Sequence, residues 1–232
     1  MRILALLFAL CWSADALAAR TPFQARCEDT IPRTSTTLIA RQAGYVVDNS
    51  KSYHQLTGLK GPEEQRGFVL GLTRTESHVT IDSTGAILRD RDSGFECLAP
   101  QIVVRLWYSP ITVYIGREFG PGTCPYREIL KHEMRHVKLY TDHMLQVERS
   151  VRAALAQRFG DKPMYAPRGQ SNAMLGREID VRWIPYIKAE LARVEPEHAA
   201  IDSLEEYSRL SKVCEGAVQS IIGPAPRGRP RK

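Results

Sequence analysis

The chain has 232 residues, of which 43% are hydrophobic and 25% are charged, and its formal net charge is +6. This composition can bury a sizeable core and excludes a disordered or repeat-built protein. Arg227, Arg229, Arg231 and Lys232 at the carboxyl end account for four of the six excess positive charges, so the body is only mildly basic and lacks the patterns of specific nucleic-acid binding.

The first 18 residues have the parts of a secretory signal peptide. One positive charge precedes an apolar run from Ile3 to Trp12, and an A-L-A segment ending at Ala18 offers small residues for cleavage. The run is too short to span a bilayer comfortably, so we expect cleavage after Ala18 rather than an uncleaved anchor. The sequence therefore predicts a secreted or periplasmic chain with no transmembrane segment after signal cleavage.

From about Thr36 to Phe119 the sequence favours strands. Six segments rich in β-branched and aromatic residues are separated by turn signals: TTLIARQAGYVV, GFVLGLT, HVTID, AILRD, QIVVRLWY and ITVYIGREF. In the last segment apolar residues alternate from Ile111 to Ile115, as in a half-buried strand. Pro110 fits a turn or a strand start, so we expect the last two strands to pair with each other.

After the segment GPGTCP the apolar period becomes helical. A first helix is predicted from about residue 126 to 159, with Gly160 as its stop. A second fits residues 171–194 and is kinked at Pro185, which cannot donate a backbone hydrogen bond. A third fits residues 198–214.

This order of elements indicates the fold class. Strands followed by helices predict an α+β domain, with an antiparallel β-rich amino-terminal half and a helical carboxyl-terminal half. We expect one domain over residues 19–222 and a disordered basic tail over residues 223–232.

Signal cleavage leaves four cysteines, which in an exported chain most simply form two disulfides. Three pairings are possible, and free buried thiols are the alternative. A cysteine-only zinc site is disfavoured because no C-x-x-C pair exists. We expect Cys27 to pair with Cys97 in the strand-rich half and Cys124 with Cys214 in the helical half.

The segment HEMRH, residues 132–136, has H-E-x-x-H spacing. In a helix His132 and His136 lie on one face about 6 Å apart, so both can reach one zinc ion, and Glu133 points at the water on that ion. Helical projection puts Glu133 near the middle of the apolar stripe, where a carboxylate is costly unless it faces a site or a partner. A chance motif on a surface helix would instead lie on the polar face. The pattern indicates a zinc site with Glu133 as general base.

A strand, a short connection and a helix that carries HEMRH resemble the zincin superfamily of zinc metallopeptidases. The exported chain is similar to secreted bacterial zinc proteases that are little characterised, and the match covers residues 111–143. The resemblance implies that His132 and His136 bind zinc, that Glu133 is the catalytic base, and that the strand before the helix aligns an extended peptide by β-augmentation.

The resemblance leaves the third ligand open. Leu139 and Asp142 stand where metzincins have a glycine and a third ligand, which argues against that class. A glutamate on a later helix, as in gluzincins, can be accommodated.

Helix geometry gives a prediction for this ligand. If the first two helices pack as an antiparallel hairpin, the level of His136 falls near residue 194, with an error of about one turn. Glu190 lies in this window among apolar positions, where an unpaired carboxylate would be costly, and His198 is the alternative. Glu178 would lie more than about 20 Å away along the axis and is excluded. In a different interpretation, Glu190 forms an ion pair with an arginine across the hairpin.

His143 cannot belong to the same site, because it lies about 16.5 Å along the helix from His132. It shares the helix face, so it either lines the cleft and stabilises an oxyanion or is an edge-of-core histidine, which we favour.

These features predict a zinc metallopeptidase that acts on peptides or on the peptide cross-links of a cell wall. The alternatives are a catalytically inactive zincin-like module that binds zinc or a protein partner, and a binding module with an accidental motif. Serine hydrolases and nucleotide-binding proteins are disfavoured, since G-x-S-x-G, P-loop and dinucleotide fingerprints are missing from the sequence. The oligomeric state is not predicted.

Overall fold

The computed structural model describes residues 20–42, 44–60 and 67–223. The predicted signal peptide and the tail from residue 224 onward lie outside the described residues. Within them, strands dominate the first half and helices the second, so the predicted α+β class is confirmed. No helix of the described chain combines the length and the apolarity that a bilayer crossing requires.

The strands of the described chain form two sheets. Their bounds are β1 (Ser35–Arg41), β2 (Tyr45–Asp48), β3 (Gly71–Arg74), β4 (Ser77–Arg89), β5 (Phe95–Tyr108), β6 (Ile111–Ile115) and β7 (Met164–Pro167). In the larger sheet, β5 lies between β1, which is parallel to it, and β4, which is antiparallel, while β7 pairs with the start of β5. In the smaller sheet, β6 lies between β2, which is parallel, and β3, which is antiparallel.

The predicted pairing of the last two strands is wrong. β5 and β6 follow each other closely in sequence but belong to different sheets, because β1 and β4 already occupy both edges of β5 at this end: Trp107 pairs with Arg41 and Tyr108 with Ser77. The predicted turn between HVTID and AILRD is also absent from β4, which runs through it as one strand. Gly85 there serves close packing, since a Cβ would lie 2.4 Å from the carbonyl oxygen of Ala99.

The described helices are α1 (Pro22–Thr30), α2 (Tyr53–Lys60), α3 (Cys124–Phe159), α4 (Ser171–Glu178), α5 (Ile184–Ala192), α6 (Glu195–Ile201), α7 (Leu204–Lys212) and α8 (Ala217–Ile222). The long helix α3 confirms the first helix prediction. The Thr123 hydroxyl caps its start by accepting a hydrogen bond from the Tyr126 amide, and Gly160, with φ of 45°, ends it.

The second and third predicted helices are each interrupted. A π-helical turn, Ile179–Trp183, joins α4 to α5 just before Pro185, which explains how the chain accommodates the missing amide. The prediction of one helix over residues 198–214 is wrong. Asp202 has a non-helical backbone, and the Ser203 hydroxyl starts α7 by accepting a hydrogen bond from the Glu206 amide at 3.2 Å.

Helix α3 contributes to both main hydrophobic clusters. Its first half, including Ile129 and Val137, packs on the smaller sheet and on α8. Its second half, from Met144 to Phe159, packs on the larger sheet and on α4 and α5. The HEMRH segment therefore lies beside the smaller sheet.

Both predicted disulfides are confirmed. Cys27 of α1 pairs with Cys97 of β5, and Cys124 at the start of α3 pairs with Cys214 after α7. Two disulfides favour an oxidising, extracellular type of environment. The second one holds the carboxyl-terminal helices against the start of α3.

Candidate metal centre

Three side chains from two distant parts of the chain converge on one point. Asp202 Oδ1 lies 3.1 Å from His132 Nε2 and 3.1 Å from His136 Nε2, and the two nitrogens are 3.4 Å apart. Both histidines are buried and Asp202 is half-buried. Among the described residues this is the group that could hold a metal ion.

The spacing fits a metal ion. Bonds of about 2.0–2.2 Å in a tetrahedral site separate neighbouring ligand atoms by roughly 3.3–3.6 Å. The observed triangle of 3.1, 3.1 and 3.4 Å matches one face of such a site, to within about 0.2 Å. Two imidazoles and one carboxylate form the three-ligand set that catalytic metal sites use, with a fourth position left for solvent or substrate.

Each element places its ligand for a local reason. His132 and His136 are four residues apart in α3 and so share a face. Asp202 lies at the end of α6, and the break before α7 turns its carboxylate towards α3 instead of continuing the helix. The metal group therefore depends on an interruption that Ser203 creates.

A second layer of side chains orients both imidazoles. Glu206 Oε1 accepts a hydrogen bond from His132 Nδ1 at 3.1 Å, which leaves Nε2 for the metal. Arg209 and then His132 hold the pKa of Glu206 at about 2, so this carboxylate is charged at neutral pH. His136 Nδ1 lies 2.8 Å from Nδ1 of His198. Burial and the neighbouring His136 lower the pKa of His198 to about 4, so His198 is neutral at neutral pH and its Nδ1 can accept a hydrogen bond from His136 Nδ1, which leaves His136 Nε2 for the metal.

Asp202 is charged despite its partial burial. Burial opposes its ionisation, but the hydrogen bonds from His132, His136 and Lys60 hold its pKa far below the ordinary value. Lys60 Nζ donates to Asp202 Oδ2 at 2.5 Å, while Oδ1 faces the two histidines. One oxygen of Asp202 is thus directed to the metal position and the other to a cation.

Glu133 lies next to the cluster on the inner side of α3. It is buried, its Oε2 accepts a hydrogen bond from Thr73 Oγ1 at 2.8 Å, and its Oε1 lies 4.0 Å from His132 Nε2. Burial raises the pKa of Glu133, against the opposing effect of the two histidines. Gly71 of β3 permits this packing, since a Cβ there would lie 2.6 Å from Glu133 Oε1.

The cluster opens into a cleft of about 450 Å³. The cleft is lined by strand β3, with Leu72, Thr73 and Arg74, and by residues of α2, α3, α6 and α7. Among the described strands, β3 pairs only with β6, so its second edge is unpaired. β6 has partners on both sides and has no free edge.

Glu190 lies outside the metal group. It is buried, as predicted, but its Oε1 pairs with Arg193 Nη1 at 2.9 Å, within the same helical segment. His198, the alternative ligand, contacts His136 from behind rather than joining the three ligand atoms. His143 is buried, and it does not line the cleft, as an edge-of-core histidine should. Glu178 binds Arg158, far from the cluster.

The hairpin geometry predicted the wrong residue at the level of His136, and the error can be expressed in residues. Arg158 faces Glu178 and His136 faces Asp202, so the level of His136 is reached about eight residues later than residue 194. About six of these eight residues are already present where Arg158 faces Glu178, so they arise in the connection between α3 and α4, which contains β7. The π-helical turn and the bend between α5 and α6 account for the other two.

Sequence reasoning missed Asp202, although a signal was present. Ser203 followed three residues later by Glu206 is the spacing of a helix start, S-x-x-E. It predicts that α7 begins after Ser203 and leaves Asp202 outside both helices.

Comparisons with models of protein families, with curated proteins and with solved structures give no match to this chain. The fold and the site define an α+β protein with two disulfides and a His132–His136–Asp202 group that could hold a metal ion.

Proposed function

We propose that this protein is a secreted or periplasmic zinc-dependent metallopeptidase with His132, His136 and Asp202 as ligands and Glu133 as the general base. The observation that supports the proposal most strongly is the near-equilateral triangle of ligand atoms with a buried carboxylate beside it. Burying Glu133 without a charged partner is costly, and a role in proton transfer gives that position a physical reason.

A bound zinc ion would supply polarisation of the substrate carbonyl and a water molecule of lowered pKa. Glu133 takes a proton from the attacking water as the water oxygen bonds to the carbonyl carbon, and the π electrons of the carbonyl move to the carbonyl oxygen. Glu133 then gives that proton to the amide nitrogen, the C–N bond breaks, and a carboxylic acid and an amine result. The raised pKa of Glu133 suits a group that first accepts and then donates a proton.

The substrate is proposed to be an extended peptide bound along β3. The resemblance to zincins pointed to the strand before the helix, but that strand, β6, has both edges paired. The free edge of β3 lies on the cleft wall, so its backbone amides and carbonyls can align a peptide next to Glu133. A peptide cross-link of a cell wall has the same backbone chemistry.

Metal analysis of the purified chain tests the proposal. We expect about one zinc per molecule. His132→Ala, His136→Ala and Asp202→Ala should each weaken zinc binding by more than the roughly 10–100-fold that is lost when a hydrogen-bonding partner of a ligand is removed. Glu190→Gln is the matched control, a buried carboxylate outside the cluster. If Glu190→Gln loses zinc and Asp202→Ala retains it, Glu190 is the ligand.

Activity is measured separately on peptide libraries and cell-wall peptides. Glu133→Gln should keep zinc and lose hydrolysis, because the amide preserves shape without accepting the proton. A wild type that holds zinc but cleaves no substrate would favour the inactive zinc-binding module. A chain that takes up iron in preference to zinc would refute the peptidase proposal.

A further inference from the structure

Lys60 reaches the metal cleft from a different element, the end of α2. Its side chain is 16% exposed and its Nζ lies 2.5 Å from Asp202 Oδ2 and 3.1 Å from the Tyr207 hydroxyl. Asp202 and Tyr207 thus hold the Lys60 ammonium in place. It contacts one carboxylate oxygen of Asp202, and the other oxygen contacts the two histidines.

The ammonium has one donor more than these contacts use. A lysine Nζ carries three N–H groups and no acceptor. Among the described residues, Asp202 and Tyr207 account for two of them, and Lys60 lines the cleft. One N–H therefore remains for a group bound in the cleft.

Other cleft side chains are less suited to stabilise a negative oxygen. Arg74 is exposed and has no ion-pair partner within the described chain, so its position is not fixed. His198 contacts His136 through Nδ1, and its buried Nε2 has no hydrogen-bond partner among the described residues, but an imidazole N–H gives a weaker hydrogen bond to an anion than a charged ammonium does. Stabilisation of a developing charge is largest when the donor is held in place before the reaction.

We propose that Lys60 is a further catalytic residue, whose free N–H donates a hydrogen bond to the carbonyl oxygen as water adds to the peptide bond. This inference rests on the proposed function. The oxygen gains a negative charge in that step, and the Lys60 proton stays on nitrogen throughout. Tyr207 is a positioning residue that holds Nζ in the cleft, and Asp202 does the same from the other side.

Azide binding to the Co²⁺-loaded protein tests the assignment without requiring a known substrate. Azide is a small anion that occupies an open coordination position and is followed by visible absorption. We expect Lys60→Met to weaken Co²⁺ binding by no more than the roughly 10-fold that loss of a hydrogen-bonding partner behind a ligand costs, and the Co²⁺-loaded variant to bind azide about 10-fold more weakly than the Co²⁺-loaded wild type. Lys60→Arg should recover part of the loss because it keeps the charge.

Lys51→Met is the matched control, since Lys51 lies over Tyr114 and does not line the cleft. On a peptide substrate, Lys60→Met should lower kcat about 100-fold with little change in KM. Tyr207→Phe should lower kcat less.

The outcomes separate this inference from the proposed function. If the wild type binds no metal, both fall together. If metal binding is intact and azide affinity and kcat are unchanged in Lys60→Met, Lys60 is not catalytic and the metallopeptidase proposal stands. If Lys60→Met loses the metal itself, Lys60 only orients Asp202, and the catalytic assignment is overturned.

Discussion

The disulfide between Cys124 and Cys214 should matter for metal binding as well as for stability. Cys124 begins α3 about two turns before His132, and Cys214 follows α7, which carries Glu206. The disulfide therefore holds α7, and with it Asp202, against the helix that supplies the two histidines. We expect the double variant Cys124→Ala/Cys214→Ala to lose both stability and metal affinity.

The two disulfides close loops of similar size, which makes them a matched pair. The Cys124–Cys214 separation is 90 residues and the Cys27–Cys97 separation is 70. Chain-entropy estimates give about 4–5 kcal/mol of unfolding free energy for each. Cys27 and Cys97 are fully buried, so their removal also leaves a cavity and costs at least as much. Any difference in metal affinity between the variants then comes from position and not from stability.

Urea unfolding followed by circular dichroism measures the free energy of unfolding. Competition with a chelating indicator measures the zinc affinity, at a temperature where both variants are folded. We expect Cys124→Ala/Cys214→Ala to weaken zinc binding about 10-fold or more, as loss of an orienting contact does. The Cys27→Ala/Cys97→Ala variant should stay within about threefold of the wild type, since α1 and β5 do not line the cleft. Equal loss of zinc in the two variants would refute the reasoning.

Three further predictions concern single residues. The pKa of Glu96 is lowered from 4.5 to about 2, chiefly by hydrogen bonds from Ser171, so its contribution to stability is present above pH 4.5 and is lost as the pH falls towards 2. Unfolding at a series of pH values should therefore show a gap of roughly 2–3 kcal/mol between wild type and Glu96→Gln at pH 6 that closes in acid, and a gap independent of pH would contradict this. Gly71→Ala would place a Cβ 2.6 Å from Glu133 Oε1, so we expect a cost of about 1–3 kcal/mol and a larger loss of hydrolysis than of zinc, to be compared in the same preparation. Glu206→Gln removes the charged acceptor behind His132, a proposed zinc ligand, and should weaken zinc binding roughly 10-fold in the indicator assay, with unchanged affinity as the opposing result.

Several features follow from the sequence because they depend on residues close together in the chain. Helix α3 ends at Phe159 with Gly160 as its cap, as the glycine signal indicates, and Glu133, which the helical projection puts near the middle of the apolar stripe, is buried. The α+β class follows from the change of apolar period near residue 124, and the disulfide pairing follows from placing one pair in each half.

Other features depend on which distant elements contact each other. β6 pairs with β2 and β3 because β1 and β4 already occupy both edges of β5. The alternation of apolar residues within β6 predicts a strand but gives no information about its partners. The same strand order gives β3 an edge at the cleft that pairs with no other described strand.

Finding Asp202, the third candidate ligand, requires both a local sequence signal and the contacts between distant elements. The S-x-x-E spacing at Ser203 marks the break that frees Asp202, and this signal is local. Its distance from α3 is not local, because the connection after α3 that contains β7, the π-helical turn and the bend after α5 together set where each later residue meets that helix. A metal ion needs ligand atoms within a few ångströms, whereas a shift of about eight residues corresponds to roughly 12 Å of helix, so only the tertiary structure selects Asp202 over Glu190 as the neighbour of the two histidines.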